Sequence, residues 1–415
     1  AEALMEECRE TPAAGTPASL RPTSLRGRWR GRIRPYRIRV SGKTLRDVQR
    51  RLRFTRWPDE PENTDWRYGA NLAYMRELAD YWRTRFDWLE QERWLNSFPQ
   101  YRTEIDGIQV HFVHVRGKGP NAIPLILTHG WPSSFWQYLK LVPLLADPEA
   151  HGGAAEESFD VVIPSVPGFG FSDRPREPGF FSRIPAIWVE LMRRIGYTRF
   201  GAHGSDLGAA ITEEIARSYP DLLIGIHVTE VPWTHAMSIP PEDLTDVERA
   251  YVEAGLNWQR REGAYALIQG TKPQTLAYGI ADSPVGLAAW IVDKFRAWSN
   301  GDRDFEQRFT MDDLLTNVMI YWATGTMSSS MRYYYDLMHA PRSAPTPPVQ
   351  VPTGVSMFPK DLVPAPRQFA QRIFNVQRWR DMPRGGHFAA FEEPQLLAEE
   401  IREFFRPLRS ARAAH

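Results

Sequence analysis

The chain has 415 residues, with 51 basic and 50 acidic side chains for a formal net charge of +1, 42% hydrophobic residues and one cysteine. At roughly 100–200 residues per domain this is one large domain or two to three modules with a buried core, which excludes disorder as the main state. The balanced charge excludes the field of a nucleic-acid binder, no run approaches the roughly 20 apolar residues of a membrane span, and the lone Cys8 excludes an intramolecular disulfide or a cysteine zinc site.

A soluble cytoplasmic protein with a small-molecule partner is therefore expected, with no metal, no nucleic acid and no membrane; a homodimer is left open. Residues 1–20 are rich in Ala, Glu, Thr and Pro and lack the apolar run of a signal peptide, so 1–34 is read as a weakly ordered leader. From Arg21 to Arg56 thirteen arginines face a single acid, Asp47, a pattern read as solvated surface. Two helices follow over Asn71–Thr84, with Leu72, Met75, Ala79 and Trp82 at helical spacing, and over Phe86–Leu95. The alternating segments Tyr101–Ile105 and Ile108–Val115 flank Asp106-Gly107, which marks a hairpin. His111 and His114, three apart on that second strand, face opposite sides and make no metal pair. Pro124–Thr128 and Phe159–Ile163 are short, wholly apolar strands that suit a parallel sheet covered on both faces, with a helical crossover between them. Ile184–Ile195 carries an apolar stripe and stops at Gly196; a short strand then runs into Gly204–Gly208, Leu207–Tyr219 reads as a helix and Leu222–Thr229 as a strand. This β/α alternation stops near Val231, and as far as Pro345 the chain reads as a mostly helical insertion, clearest over Asp282–Trp298 and Met311–Thr324. The Pro-rich stretch 340–348 returns it to a strand, Val349–Val355, and the last helix starts at Pro394 with Leu397, Ile401 and Phe404 on one side.

Gly204-x-Asp206-x-Gly208 between a strand and a helix has the form of a nucleophile elbow, with aspartate in the central place; Ser205 stands one position early. A carboxylate nucleophile displaces at an electrophilic carbon and leaves an ester that water must hydrolyse. His129-Gly130-Trp131-Pro132 follows an apolar strand, where this architecture places an oxyanion-hole N–H; the N–H of Trp131 is the expected donor, with that of Leu207 as the other. His387, in Gly385-Gly-His-Phe388, lies 26 residues after Asp361, and the order nucleophile, acid, histidine is that of an α/β-hydrolase. Asp361 orients His387, which takes the proton of the hydrolytic water. Glu230 also follows a strand and is the rival acid.

His129-Gly-Trp-Pro132, Gly204-Ser-Asp-Leu-Gly208, Gln269-Gly-Thr-Lys-Pro273, Asp282-Ser-Pro-Val-Gly-Leu-Ala-Ala289, Phe358-Pro-Lys-Asp361 and Gly385-Gly-His-Phe388 resemble the microsomal-type epoxide hydrolases. The likeness covers roughly Pro35 to Phe405, and the tryptophan-rich segment around Trp66–Phe98 resembles their N-terminal domain. It implies an α/β-hydrolase fold, a mostly parallel sheet flanked by helices. The expected division is a wrapping domain over 35–100, a core over 101–230 and 346–410, and a helical lid over 231–345. It also implies hydrolysis of an epoxide to a vicinal diol without a cofactor, water and a small-molecule epoxide being the reactants. The family's two lid tyrosines, which donate to the epoxide oxygen, match Tyr265 and Tyr334; Tyr333 and Tyr335 are one-place alternatives to the second. Many relatives have Gly in place of Ser205 and Trp in place of Leu207, which leaves the N–H donor in place and changes the pocket wall. The mammalian membrane anchor has no counterpart, so a soluble bacterial-type member is expected, and the arginine bias suggests an actinomycete-like source in which antibiotic (enediyne) assembly or detoxification is the setting. The 15 Trp, 15 Tyr and 21 Phe favour a bulky or aryl epoxide. A haloalkane dehalogenase and a non-catalytic small-molecule receptor on the same fold are the alternatives; Leu207 stands where dehalogenases often carry a halide-binding tryptophan.

Overall fold

The computed structural model describes residues 31–299, 305–340 and 347–412, with side chains to residue 409. The expected leader, with Cys8, lies outside the described residues up to residue 30, as does most of the Pro-rich stretch near 345.

Among the described residues nine strands form one sheet: β1 (Arg34–Tyr36), β2 (Gln100–Ile105), β3 (Ile108–Val115), β4 (Ile123–Thr128), β5 (Phe159–Pro164), β6 (Phe200–Gly204), β7 (Leu223–Val228), β8 (Val349–Met357) and β9 (Phe374–Asp381). Their order is β1-β2-β3-β5-β4-β6-β7-β8-β9. The first four pair antiparallel, and everything from β5 to β9 is parallel. The hairpin β2–β3 turns at Asp106 and Gly107, both at positive φ (54° and 75°), the backbone such a two-residue turn needs. β4, β5, β6 and β7 are buried at every position, as strands covered on both faces must be.

The helices are α1 (Gly42–Arg53), α2 (Leu72–Thr84), α3 (Trp88–Leu95), α4 (Leu141–Ala146), α5 (Ile184–Ile195) and α6 (Leu207–Ser218). In the insertion come α7 (Asp246–Glu262), α8 (Ala264–Thr271), α9 (Pro273–Asp282), α10 (Pro284–Ala297), α11 (Phe305–Arg308), α12 (Met311–Thr324) and α13 (Met327–His339). Near the C-terminus stand α14 (Arg367–Ile373), α15 (Ala389–Glu392) and α16 (Pro394–Arg412). The helix expected over Asp282–Trp298 begins two residues later: Pro284 cannot continue α9, and Ser283 caps α10 by accepting from Gly286 N–H. Several elements were not foreseen: β1, which starts at Arg34 within the expected leader and pairs with β2, and α1, α14, α15 and β9. α1 lies in the arginine-rich stretch and buries only Val48 and Leu52. β9 is an edge strand that is mostly half-buried or exposed and lacks an apolar run.

The three N-terminal helices pack on the insertion, α1 and α2 against α10 and α2 and α3 against α12. Arg51 joins α1 to Asp282, Tyr81 Oη donates to Asp312 at 3.0 Å, and Asn96 clips the chain before α1 by exchanging two bonds with Ile38. No described helix by itself is long and apolar enough to cross a membrane, and no His/Cys/Asp/Glu group among the described residues could hold a metal ion.

Candidate active site

Three adjacent parallel strands, β6, β7 and β8, end at one edge of the sheet, and the acids expected of the site follow them. Asp206 sits between β6 and α6 at φ 53°, ψ −129°, a backbone region that side chains rarely adopt and that only surrounding contacts can hold. The flanking glycines leave the room this needs, a Cβ on Gly204 falling 2.0 Å from Gly208 O and one on Gly208 1.8 Å from Thr128 O, and on the turn after β4 a Cβ on Gly130 would lie 2.1 Å from Asp206 Oδ1. Asp206 Oδ1 accepts the Trp131 N–H at 2.8 Å. Leu207, the other expected donor, is the first residue of α6, where N–H groups have no partner within the helix. Ser205 points away from this point, with its Oγ 3.0 Å from Tyr138 Oη and 3.2 Å from Gln137 Nε2.

His387 bridges two carboxylates. Its Nδ1 is 2.7 Å from Asp361 Oδ1 and its Nε2 3.4 Å from Asp206 Oδ2. Asp361 Oδ1 also accepts the Leu362 N–H, while the His387 N–H donates to Trp298 O at 2.8 Å. Burial opposes the imidazolium, but Asp361 and Asp206 outweigh it and hold His387 well above its ordinary pKa. The rival acid Glu230 makes no such bond, so the histidine's acid partner is Asp361. Glu230 Oε2 is shielded from solvent without a hydrogen-bond partner, and burial, then the nearby Asp361, push its pKa up to about 8.

Across from the carboxylates stands an aromatic wall from the insertion. The Tyr265 ring stacks on Trp131 (centroids 5.0 Å, 6°), and Tyr334 meets both edge-on at 5.6 and 5.9 Å. Burial, then the charge of Asp206, raises the Tyr265 hydroxyl pKa; burial, then Tyr265 and Asp206, raises that of Tyr334, so both remain O–H donors. Tyr334 Oη is buried and unpartnered. Of its neighbours, Tyr333 packs against Phe181 at 4.7 Å, and Tyr335 is exposed, with its ring on His339. Tyr334 is therefore the member of the run that joins Tyr265 and Trp131.

Sequence reasoning missed the groups that hold this arrangement. Asn317 of α12 donates to Pro132 O at 2.8 Å and accepts from Ser134 Oγ, and Tyr321 Oη donates to Ser133 O. Trp258 and Trp298 complete the wall around Tyr265. Nothing in the local pattern of α12 distinguishes these from core residues. One surface cleft, of about 690 Å3, lies between α1 and the α12–α13 junction and reaches Tyr321, and another, of about 320 Å3, is lined by 175–181, 271–275 and α13; neither is lined by Asp206, Asp361, His387, Tyr265 or Tyr334.

A family model described as "Epoxide hydrolase N terminus" matches residues 33–138, and one described as "alpha/beta hydrolase fold" matches 123–345. The "Putative epoxide hydrolase" of Stigmatella aurantiaca (strain DW4/3-1) is 44% identical over 91% of this chain and 86% of its own length. "Epoxide hydrolase 1" of Oryctolagus cuniculus is 37% identical over 90% and 88%. Among solved structures, the juvenile hormone epoxide hydrolase of the silkworm Bombyx mori superposes with a TM-score of 0.79 at 29% identity, covering 92% of this chain and 95% of that one.

Proposed function

The chain belongs to the epoxide hydrolase family, and from that premise we propose that it opens its epoxide through a covalent ester on Asp206, hydrolysed by water that His387 activates. The observation that carries the reading is the line Asp206–His387–Asp361 facing two buried tyrosine hydroxyls. Since Oδ1 is held by the Trp131 N–H, Oδ2 is the attacking oxygen. It forms the bond to an epoxide carbon as the ring C–O bond breaks, and Tyr265 and Tyr334 donate to the departing oxygen, which takes a proton from one of them. A proton drawn from bulk water would arrive unpositioned; these donors are fixed before charge develops.

Water then attacks the ester carbonyl carbon and gives its proton to His387 Nε2, while Asp361 supports the imidazolium. The oxyanion, now on Oδ1, is met by the N–H groups of Trp131 and Leu207. Collapse expels the diol oxygen, which takes the proton from His387; the carboxyl proton that remains returns to the tyrosine, and Asp206 is a carboxylate again. The helical insertion serves as a lid that excludes competing water. Walls made of Trp131, Tyr265, Trp258 and Trp298 favour a bulky or aryl epoxide.

The test is racemic styrene oxide with diol formation followed by chiral chromatography, and one turnover in heavy-oxygen water. The wild type is expected to form diol and Asp206→Ala none, and the label is expected in Asp206 rather than in the first diol released. Label in the diol from that single turnover would mean direct attack by water and sink the ester.

A further inference from the structure

The proposed chemistry leaves one acid of the site without a task. Asp206 stands two residues beyond Gly204 of β6, and Glu230 two residues beyond Val228 of β7; Gly204 and Val228 are register partners in adjacent parallel strands. Strands in a sheet lie about 4.8 Å apart, so the two acids leave the sheet side by side. β7 in turn pairs with β8, Val228 against Val355, and β8 leads to Asp361. Glu230 thus lies in the row between the nucleophile and the acid of His387. Its Oε2 has no hydrogen-bond partner among the described residues and is shielded from solvent. A buried carboxyl oxygen left unpaired costs about 1–3 kcal/mol, and the hydrogen bond that Glu230 does accept comes from the backbone N–H of the nucleophile, Asp206, which holds the carboxyl beside the reacting groups.

We propose that Glu230 is a second acid for His387, a positioning residue that supports the imidazolium formed as water attacks the ester. The inference rests on the ester mechanism above. The groups that face Glu230 are Asp206, Asp361 and His387 at the sheet edge and the hydroxyls of Tyr251 on α7 and Tyr265 on α8. Tyr251 Oη is itself committed to Val231 O, the residue after Glu230. In the resting site burial first, then the charge of Asp361 and to a smaller extent that of Asp206, keep Glu230 neutral near pH 7, its pKa pushed up to about 8. Esterification removes the charge of Asp206, one of the groups that hold Glu230 neutral, so Glu230 releases its proton to solvent in the intermediate before His387 becomes a cation and takes one back when the Asp206 carboxylate is restored. No proton passes through Glu230 in the step: the water proton goes to His387 Nε2, and the carboxylate of Glu230 acts on the ring by charge alone.

The experiment follows ester hydrolysis in single turnovers with styrene oxide, by rapid quench and mass spectrometry of the Asp206 peptide, from about pH 6 to about pH 10, beside thermal unfolding of each variant. Asp361→Asn is expected to retain slow hydrolysis that rises about tenfold per pH unit until Glu230 is ionised. Adding Glu230→Gln should flatten that rise and slow the reaction at least tenfold further, and adding Glu230→Asp should restore part of it. Equal rates for Asp361→Asn with and without Glu230→Gln, at every pH, overturn the proposal. If the variants that carry Asp361→Asn do not fold, Glu230→Gln alone decides: its acid limb should move to lower pH with a several-fold lower plateau, and a profile that superposes on the wild type overturns the proposal. Absence of any ester in the wild type, with styrene oxide or bulkier aryl epoxides, would instead overturn the ester mechanism itself.

Discussion

Asp206 uses its two oxygens differently, and that asymmetry makes the two half-reactions separable. Oδ1 is already on the Trp131 N–H and Oδ2 faces His387, so replacing the histidine should leave attack intact while stopping hydrolysis. His387→Gln is expected to accumulate the ester on the Asp206 peptide, visible by mass spectrometry, with no diol; an unmodified peptide after incubation would count against the assignment. The tyrosines belong to the other half: Tyr265→Phe and Tyr334→Phe should each slow ester formation roughly 100-fold, the usual cost of one preorganised donor, and leave ester hydrolysis nearly unchanged. The histidine also gives a pH signature. In the free site Asp361 and Asp206 hold it protonated well above its ordinary range, against burial. Once Asp206 is an ester, one of those charges is gone and the imidazole can accept a proton. The acid limb of ester hydrolysis should therefore fall at a lower pH than the titration of His387 in free enzyme followed by NMR; coincidence of the two would deny the coupling.

At the scale of elements, α12 is the support of the oxyanion turn, although it lies far away in sequence. Its N-terminus is closed by a capping box, with Thr310 and Asp313 exchanging bonds, and Asn317 and Tyr321 reach carbonyls of the turn from its middle. Thr310→Ala should cost about 1 kcal/mol of stability and leave turnover alone. Asn317→Ala should cost about 1–3 kcal/mol by leaving Pro132 O unpaired and should also lower the rate about tenfold, because the Trp131 N–H follows the turn. Equal turnover in the two variants would remove α12 from the site. The same contrast explains what could be read in the sequence. Asp206, Asp361 and His387 were legible because a strand, a turn and a helix announce themselves within a few residues. Asn317 and Tyr321 were not, because their partners are 185 and 188 residues away and a buried Asn on an apolar helix carries no local mark. The hairpin at Asp106-Gly107 and the apolar strands β4, β5 and β7 were equally plain. α1 was hidden by its arginines, whose charge masks a two-residue apolar contact, and β9 by the half-polar pattern of an edge strand. The wall formed by Trp258 and Trp298 emerges only when separate helices converge on Tyr265.

The molecule as a whole carries an unusual store of neutral buried histidines, and these set how its stability depends on pH. His111 bonds Ser165 and Gln100, His129 accepts from Val166 N–H, and His203 and His227 face each other at 3.0 Å from adjacent strands. Burial first of all drives His111 and His203 down to about 3, His129 to about 4, and His227 well below its ordinary value. An unfolded chain would protonate each near pH 6.5, so below that pH the unfolded state binds more protons and stability falls as pH falls. Each such group contributes about 1.4 kcal/mol per pH unit between its folded and unfolded values. Glu230 works in the opposite sense: its folded pKa of about 8 lies above its unfolded one, so its contribution is present in acid and lost as pH rises through that window. His387, also raised in the fold, adds to the loss on the alkaline side only. His114, also lowered by burial, and Glu262, also raised by burial, act in opposite senses and offset each other, so five groups against two leave a net uptake of about three protons on unfolding between roughly pH 6.5 and 4.5, a slope of about 4 kcal/mol per pH unit as an upper bound. Urea unfolding at steps across this range should show stability greatest near neutrality and falling steeply in acid. His111→Gln should reduce the slope by about one proton while lowering stability at neutral pH. A midpoint that stays level from about pH 6.5 to 4.5 would show that these histidines are already protonated in the fold and that burial does not hold them neutral.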